Sequence, residues 1–420
     1  MEHVKFYESL TNVVNKLSIR LEIRGAVDLI ATIAVLAKQE PDSFALIYKS
    51  PKVNINEVVA KSLAAISCLQ GLIDESLERI SNDDLRDAIY YIGEVTDFVL
   101  LADNIIELIR QQAYRSFGEA MLSTSIAKLC VSLAGNVSNK IVYDGTAGFC
   151  TLTTQLQGAK LELAEVNRTI WGLGKKLLLL KNVAANFRLQ DSLSNSDAHS
   201  IQADLVIMSP PFGVRFNNDQ ISQIQHASFI LLDKEIPKSA SDALWVQHAL
   251  FNTSDTGKAI LVTPIGWLFR GGYDAYLRQY LLDHDFVESI IQLPAGLFEG
   301  SGIPCAVVIL NKQKDSINQG YITFVDASDI GTKNKRKLCF NDEDVQLIID
   351  RATNPASENE YAKKIILPEV CKTNNLNVGR YIVKKSELAL PMLEEEERKL
   401  QQAQLRFEQA QANLNRVLAS

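Results

Sequence analysis

The sequence predicts a doubly wound α/β fold: a mainly parallel sheet of seven strands, preceded by a helical N-terminal domain and followed by one C-terminal helix. Three observations predict it. From residue 1 to about 112 the apolar residues recur at helical spacing with no strand-like alternation. From about 120 to 330, short apolar runs ending in turn residues alternate with helical stretches. From 392 to 418 a single amphipathic run opens with a block of acids. The boundaries are therefore set at 1–112, 113–390 and 391–420.

The N-terminal helices show in Leu10, Val13, Val14, Leu17 and Leu21, and again from Val58 to Leu72, with breaks at Pro41 and Pro51. The most apolar stretch, Ala26 to Ala37, is broken by Asp28 and too short to span a membrane. The start, Met-Glu-His-Val-Lys, has no signal-peptide character. The strands then follow in order: Lys140–Tyr143, Lys160–Ala164, Phe187–Leu189, Asp204–Met208, Lys258–Thr263, Val287–Gln292 and Ala306–Leu310. The last of these succeed one another without a long helix, which allows an antiparallel edge. In the tail, Leu400, Ala403, Phe407, Ala410, Leu414 and Leu418 form a 3,4-spaced stripe over a helix long enough to expect a partner helix.

Composition narrows the function. With 420 residues, 47% hydrophobic and 22% charged, the chain has room for two or three soluble domains. Its six cysteines and five histidines are scattered without paired metal spacing, which reads as reduced thiols in a cytoplasmic protein and no metal site. A net charge of −7 argues against a protein that grips DNA unaided, because phosphate neutralisation needs clustered lysine and arginine. Either DNA is not the substrate, or a partner supplies much of the grip.

The chemistry gathers at strand ends, where ligands bind in a doubly wound sheet. The first strand runs into Asp144-Gly145-Thr146-Ala147-Gly148, a tight turn that lets a ligand approach the backbone. Glu165 ends the second strand, where dinucleotide folds place the acid that binds ribose hydroxyls. Asp191 ends the third, placed to accept a hydrogen bond from an adenine amine. These suit an adenosine-bearing cofactor. The fourth strand stops at Ser209-Pro210-Pro211-Phe212. Ser209 Oγ and the Pro210 carbonyl can hold the exocyclic amine of a nucleobase and draw its delocalised lone pair toward tetrahedral geometry, while Phe212 stacks on the flipped base.

These stretches resemble the N6-adenine DNA methyltransferases, and specifically the modification subunit of type I restriction-modification systems. The resemblance covers roughly residues 110 to 385. Val142–Gly148 is similar to the first S-adenosylmethionine motif, Ala164–Thr169 and Asp191-Ser192-Leu193 to the next two, and Ser209–Phe212 to the catalytic motif. Asp242–His248, Gly266–Gly272, Leu293–Phe298 with Ser301–Pro304, and Asn375–Tyr381 follow in the family's order. The resemblance implies an S-adenosylmethionine-dependent methyltransferase fold and a cofactor site including Glu119, Ser123, Asp144, Thr146, Gly148, Glu165, Asp191 and Ser192. It also implies DNA as substrate, a DNA-specificity subunit met through the C-terminal helix, and room for a second copy of the chain and a restriction nuclease subunit. Asp144 and Ser209 stand 65 positions apart, filled by strand–helix units, so no base-reading domain fits between them.

Three departures bear on that expectation. Cys150 stands where the family carries a second glycine, and its side chain is expected to crowd the methionine part of the cofactor. Leu122 and Ser123 replace a Thr-Pro pair that touches the same part. Ser209 replaces the usual Asn, and serine there also suits N4-cytosine enzymes. The alternatives are therefore a cofactor-impaired fold kept as a structural subunit, an N4-cytosine DNA methyltransferase, and, less in keeping with Leu293–Pro304, an amino-methyltransferase of RNA or of protein glutamine.

Overall fold

The computed structural model describes residues 2–50, 54–65, 80–116, 121–194, 200–298, 302–334, 337–353, 360–383 and 393–418. Its centre is a nine-stranded sheet: β1 (Ile141–Asp144), β2 (Lys160–Glu165), β3 (Ala185–Leu189), β4 (Ala203–Met208), β5 (Thr253–Pro264), β6 (Val287–Gln292), β7 (Cys305–Asn311), β8 (Tyr321–Asp326) and, at one edge, β11 (Ala362–Ile366). The strands lie in the order β11-β8-β6-β7-β5-β4-β1-β2-β3, and β9 (Thr332–Asn334) and β10 (Lys337–Cys339) form a separate pair. All seven expected strands are present. The sheet is wider than expected because β8 and β11 extend one edge.

The strands from β3 to β5 are parallel, and the order reverses between β1 and β4. The antiparallel element is not only at an edge. β7 runs antiparallel between β5 and β6, bonded to both, because only a short connection joins it to β6. The register aligns the carboxyl ends: Asp144 pairs with Leu163, and Glu165 with Leu189. The turns after β1, β2, β3 and β4 therefore open on one side.

The N-terminal helices are Glu2–Gln39, interrupted at Glu22 (φ 58°), then Pro41–Lys49, Ile55–Ala65, Asn82–Gly93 and Phe98–Ser116. The expected stretch from Val58 to Leu72 is helical as far as Ala65, and its remainder lies outside the described residues. These helices share one apolar core with the helix Arg168–Leu180, through Ile170, Leu173, Leu177 and Leu180. The apolar run Ala26–Ala37 forms the buried middle of that core, with Leu29, Ile30, Ile33 and Leu36 at most 1% exposed. Asp28, the acid that breaks the run, has both oxygens on Lys176 Nζ at 2.6 and 2.7 Å. Lys38 Nζ caps the far end of the same helix on the carbonyls of Leu179 and Leu180. No helix among the described residues is long and apolar enough to cross a membrane.

Met1–Ile382 form one compact unit and Val383–Ser420 a second. The second unit contains the helix Leu393–Leu418, where the expected tail helix falls; Met392, Ala419 and Ser420 lie outside the described residues. Leu400 and Phe407 of its stripe are 61% and 67% exposed.

Lys176 is 1% exposed and Asp28 10%, so removing either partner strands a charge in the core. Asp28→Ala is expected to lower unfolding stability by about 3–5 kcal/mol, and the apolar pair Asp28→Leu with Lys176→Met to recover most of it. Guanidinium melts of the three chains check this; a loss below about 1 kcal/mol in the single variant would show that the pair does not hold the helix.

Candidate active site

The glycine turn is shaped by its own side chains. Asp144 Oδ1 accepts the Thr146 N–H at 2.9 Å and the Thr146 hydroxyl at 3.2 Å. Ser192 Oγ donates to the Gly145 carbonyl at 2.7 Å, tying the end of β3 to the turn after β1. Gly148 sits at φ 55°, a conformation that costs glycine little, and its N–H donates to Glu165 Oε2 at 3.1 Å. Glu165 Oε1 accepts the Asn167 N–H at 2.7 Å, just before Asn167 caps the helix Arg168–Leu180 through the N–H groups of Thr169 and Ile170.

Both acids feel their burial. Burial pushes the Asp144 carboxyl up to about 7, against the two Thr146 hydrogen bonds and with help from the Glu165 charge. Burial also raises Glu165, while the backbone N–H groups of Asn167, Gly148 and Val166 hold it down. Asp191 is exposed; its Oδ1 accepts the N–H groups of Leu193 and Ser194, and its Oδ2 the Ser194 hydroxyl at 2.8 Å.

A cavity of about 740 Å³ opens over these strand ends. Asp144, Thr146, Gly148, Glu165, Asp191, Ser192 and the whole turn Ser209–Phe212 line it. Phe212 is half-buried, its ring edge-to-face with Phe298 at 4.9 Å and 74°. Two expected members do not join them. Glu119 lies outside the described residues. Ser123 is not on the cavity wall: its hydroxyl caps the helix Thr124–Ala134 by accepting the Ile126 N–H. Its neighbours Met121 and Leu122 do line the cavity.

The Cys150 side chain does not project into the cavity. The residue is fully buried, with its Sγ packed toward Gly174 and the core around Leu163, Leu178 and Phe187. It is absent from the cavity wall. Its backbone nevertheless keeps the left-handed conformation that suits glycine, at φ 60°.

Sequence reasoning missed part of the wall. Trp245, on the helix Ser241–Asn252, faces the cavity, and its indole N–H has no hydrogen-bond partner among the described residues. Gly302 and Ile303 enter from the loop before β7, and Gln190 and Val166 flank the two strand-end acids. The motif containing Trp245 and that containing Gly302 and Ile303 were visible, but neither ends a strand at the switch point. Beneath the wall His248 is buried, its Nε2 2.9 Å from the Tyr143 hydroxyl. Burial pulls its pKa down to about 4, so it is neutral at physiological pH.

The N-6 DNA Methylase family matches residues 103–389. The methylase subunit of the type I restriction enzyme MpnII from Mycoplasma pneumoniae is 26% identical, over 84% of this chain and 68% of that one. The MjaVII methylase subunit from Methanocaldococcus jannaschii is 28% identical, over 63% of this chain and 49% of that one. The chain thus spans about two thirds of the first relative's length and about half of the second's. The fold is similar to the crystal structure of a type I restriction-modification methyltransferase subunit from Streptococcus thermophilus: TM-score 0.73, 19% identity, 90% of this chain and 99% of that one.

The raised Asp144 carboxyl makes stability depend on pH in a stated direction. An unfolded aspartate titrates near about 3.9, so between that value and about 7 the native chain binds more protons than the unfolded one. The contribution is fully present below about 4 and is lost as pH rises through about 7. Without added nucleotide, the melting temperature of the wild type relative to Asp144→Asn, which keeps an acceptor for Thr146, is expected to fall from pH 5 to pH 8. A constant difference across that range would refute the buried-carboxyl assignment.

Proposed function

The chain belongs to the N-6 DNA methylase family, and we propose that it transfers the methyl group of S-adenosylmethionine to N6 of a flipped adenine in DNA, as the modification subunit of a type I restriction-modification complex. One observation carries this reading. Glu165, Asp191 and Ser209–Phe212, from the ends of three strands, face one cavity. Its volume of about 740 Å³ lies in the range of pockets that enclose ligands of this size.

The residues present fit the cofactor. The Gly145–Gly148 turn leaves its backbone open to close approach, and the Cys150 thiol is turned away from the cavity. Glu165 has unused lone pairs for ribose hydroxyls, and Asp191 can accept from the adenine amine. Met121 and Leu122 offer apolar contact where the family binds the methionine tail. S-adenosylmethionine supplies an electrophilic methyl group on a sulfonium sulfur. The protein must present a poor nucleophile to it. Ser209 Oγ and the Pro210 carbonyl accept from the target amine, which localises its lone pair, and Phe212 stacks on the base with Phe298 behind it. Two consecutive prolines limit the conformations open to this turn, so little ordering remains when the base arrives.

The buried Cys150 side chain favours an active enzyme over a cofactor-impaired scaffold. Ser209 keeps N4-cytosine as the second reading, and mass spectrometry of the methylated nucleoside decides between them. The net charge of −7 supports a partner that supplies the basic DNA surface. The helix Leu393–Leu418, with Leu400 and Phe407 exposed, is proposed to dock on a DNA-specificity subunit. A second copy of the chain and a nuclease subunit complete the proposed complex, in the cytoplasm. The divisions 1–112, 113–390 and 391–420 are proposed to correspond to a helical support, the methyltransferase domain and the partner-binding helix.

Two outcomes follow. Glu165→Ala is expected to weaken S-adenosylmethionine binding by more than about tenfold, while Ser209→Ala and Phe212→Ala abolish transfer and leave calorimetric cofactor affinity unchanged. Transfer near the wild-type rate in either turn variant would remove the catalytic assignment. Truncation after Pro391 is expected to leave cofactor binding intact and to prevent co-elution with the specificity subunit in size-exclusion chromatography. A truncated chain that still assembles and methylates one specific site would show the helix to be dispensable.

A further inference from the structure

Gly266–Gly272 and Asn375–Tyr381, two stretches absent from the cavity wall, are bonded to each other. The Leu376 N–H donates to the Leu268 carbonyl at 2.8 Å, and the Phe269 and Arg270 N–H groups turn back to the Gly266 carbonyl at 3.2 and 3.0 Å. Arg278 donates to the carbonyls of Trp267 and Asn374, and Asn374 Nδ2 to the Ala275 carbonyl. Arg270 reaches sideways, Nη2 to Asp242 Oδ2 at 2.8 Å and Nε to Asp274 Oδ2 at 2.9 Å. The loop Phe269–Gly272 is thus pinned at both ends. It is pinned beside the cavity. β5, which leads into it, is bonded in parallel to β4, whose end carries Ser209–Phe212. The Ile265 N–H donates to the Pro304 carbonyl at 3.1 Å, directly after Gly302 and Ile303 of the wall, and Ile303 is 45% exposed. Asp242, bonded to Arg270, stands in the first turn of the helix that brings Trp245 to the wall.

Two features of this loop serve nothing inside the folded chain. Phe269 is 44% exposed although hydrogen bonds fix its backbone. Gly271 has no left-handed φ, unlike Gly272 at 65°, and a Cβ on it would meet nothing within 4 Å among the described residues. Neither packing nor backbone conformation calls for glycine there, and glycine in a fixed loop costs entropy. A ligand that approaches the backbone closely accounts for both. A flipped nucleotide stays joined to its strand, so the DNA that feeds the cavity crosses the rim of its mouth. We infer that the Phe269–Gly272 loop seats that strand: Phe269 stacks on the base next to the flipped one, replacing the stack that flipping removes, and Gly271 leaves room for the sugar–phosphate backbone. The inference rests on the reading of Ser209–Phe212 as the transfer turn. The pinning matters because a ring already held in place gives its contact without a further ordering cost. The cofactor end of the cavity is built by other residues, so the loop acts on DNA alone.

The test uses the complex purified from source cells through a tag on the full chain, with tritiated S-adenosylmethionine and unmethylated, PCR-amplified genomic DNA of the source as probes. Phe269→Ala is expected to lower kcat/KM for DNA by about 10- to 100-fold, the loss of one base–aromatic stack, with Kd for S-adenosylmethionine within about twofold of wild type. Phe269→Trp, which keeps a stacking face, is expected to stay within about threefold of wild type. Gly271→Leu meets no neighbour in the protein, so it is expected to keep the wild-type melting temperature and cofactor affinity while lowering kcat/KM for DNA by about tenfold or more. Phe212→Ala serves as the inactive reference. If Phe269→Ala or Gly271→Leu keeps kcat/KM for DNA within about twofold while Phe212→Ala is inactive, the seat is overturned and the turn assignment stands. If either variant loses the protein chains that co-purify with wild type, the rim is a subunit interface and the seat is overturned. Transfer by Phe212→Ala near the wild-type rate would overturn the turn assignment, and the seat with it.

Discussion

One close approach governs the site: the helix Arg168–Leu180 lies against the glycine turn at backbone distance. A Cβ at Gly174 would sit 2.8 Å from the Gly148 carbonyl and 3.0 Å from the Phe187 ring, so only glycine permits it. Glu165 seals the approach by accepting from Gly148 and from Asn167, one on each side of the contact. The N-terminal helices then press on the outer face of the same helix, through the shared core and the Asp28 and Lys38 contacts. The cavity is thus backed by a stack of three layers rather than by a loop. A segment without evident chemistry of its own determines how firmly the glycine turn is seated.

The fold was legible where physics writes locally. β4 and β7 are buried on both faces over most of their length and carry the apolar runs Leu205–Met208 and Ala306–Leu310. β11 was not legible, because its Ala362-Lys363-Lys364-Ile365-Ile366 has the lysines with which edge strands discourage further pairing. The insertion of β7 between β5 and β6 could not be read either, since a sequence gives a strand but not its neighbours. At the site, the strand-end acids were found because the period of strands and turns fixes their place. Ser123 looked like a ligand, yet a cap and a ligand are the same hydroxyl until the chain is folded. Trp245 and Ile303 reach the cavity from elements far along the chain, with no local signal of where they point.

Cys150 shows how a departure from a motif can be absorbed. Its left-handed backbone, at φ 60°, is one that glycine adopts more readily, and it costs roughly 1–2 kcal/mol. Its thiol lies against Gly174 and the apolar core, where burial lifts the pKa far above the usual thiol range and leaves it unreactive. The strain is borne by the backbone, and the cavity keeps its shape. The charged groups follow a related logic: Lys176 and Arg270 each meet carboxylates from another element, so each ties helices together as well as neutralising charge.

The place of β7 in the sheet also bears on how the chain can fold during synthesis. β5 and β6 are both complete by Gln292, yet they do not touch; each waits for the strand Cys305–Asn311 to bond between them. Until that segment leaves the ribosome, one side of β5 is an unpaired apolar edge, open to the wrong neighbour. The parallel half of the sheet can assemble first, so the strand ends that border the cavity can be ordered while the other half is still unpaired. Closure then inserts a strand into a gap bonded on both sides at once, a late and cooperative event that joins β7 locally to β6 and non-locally to β5. A chain stalled before residue 305 would carry most of the cavity wall on an aggregation-prone half-sheet.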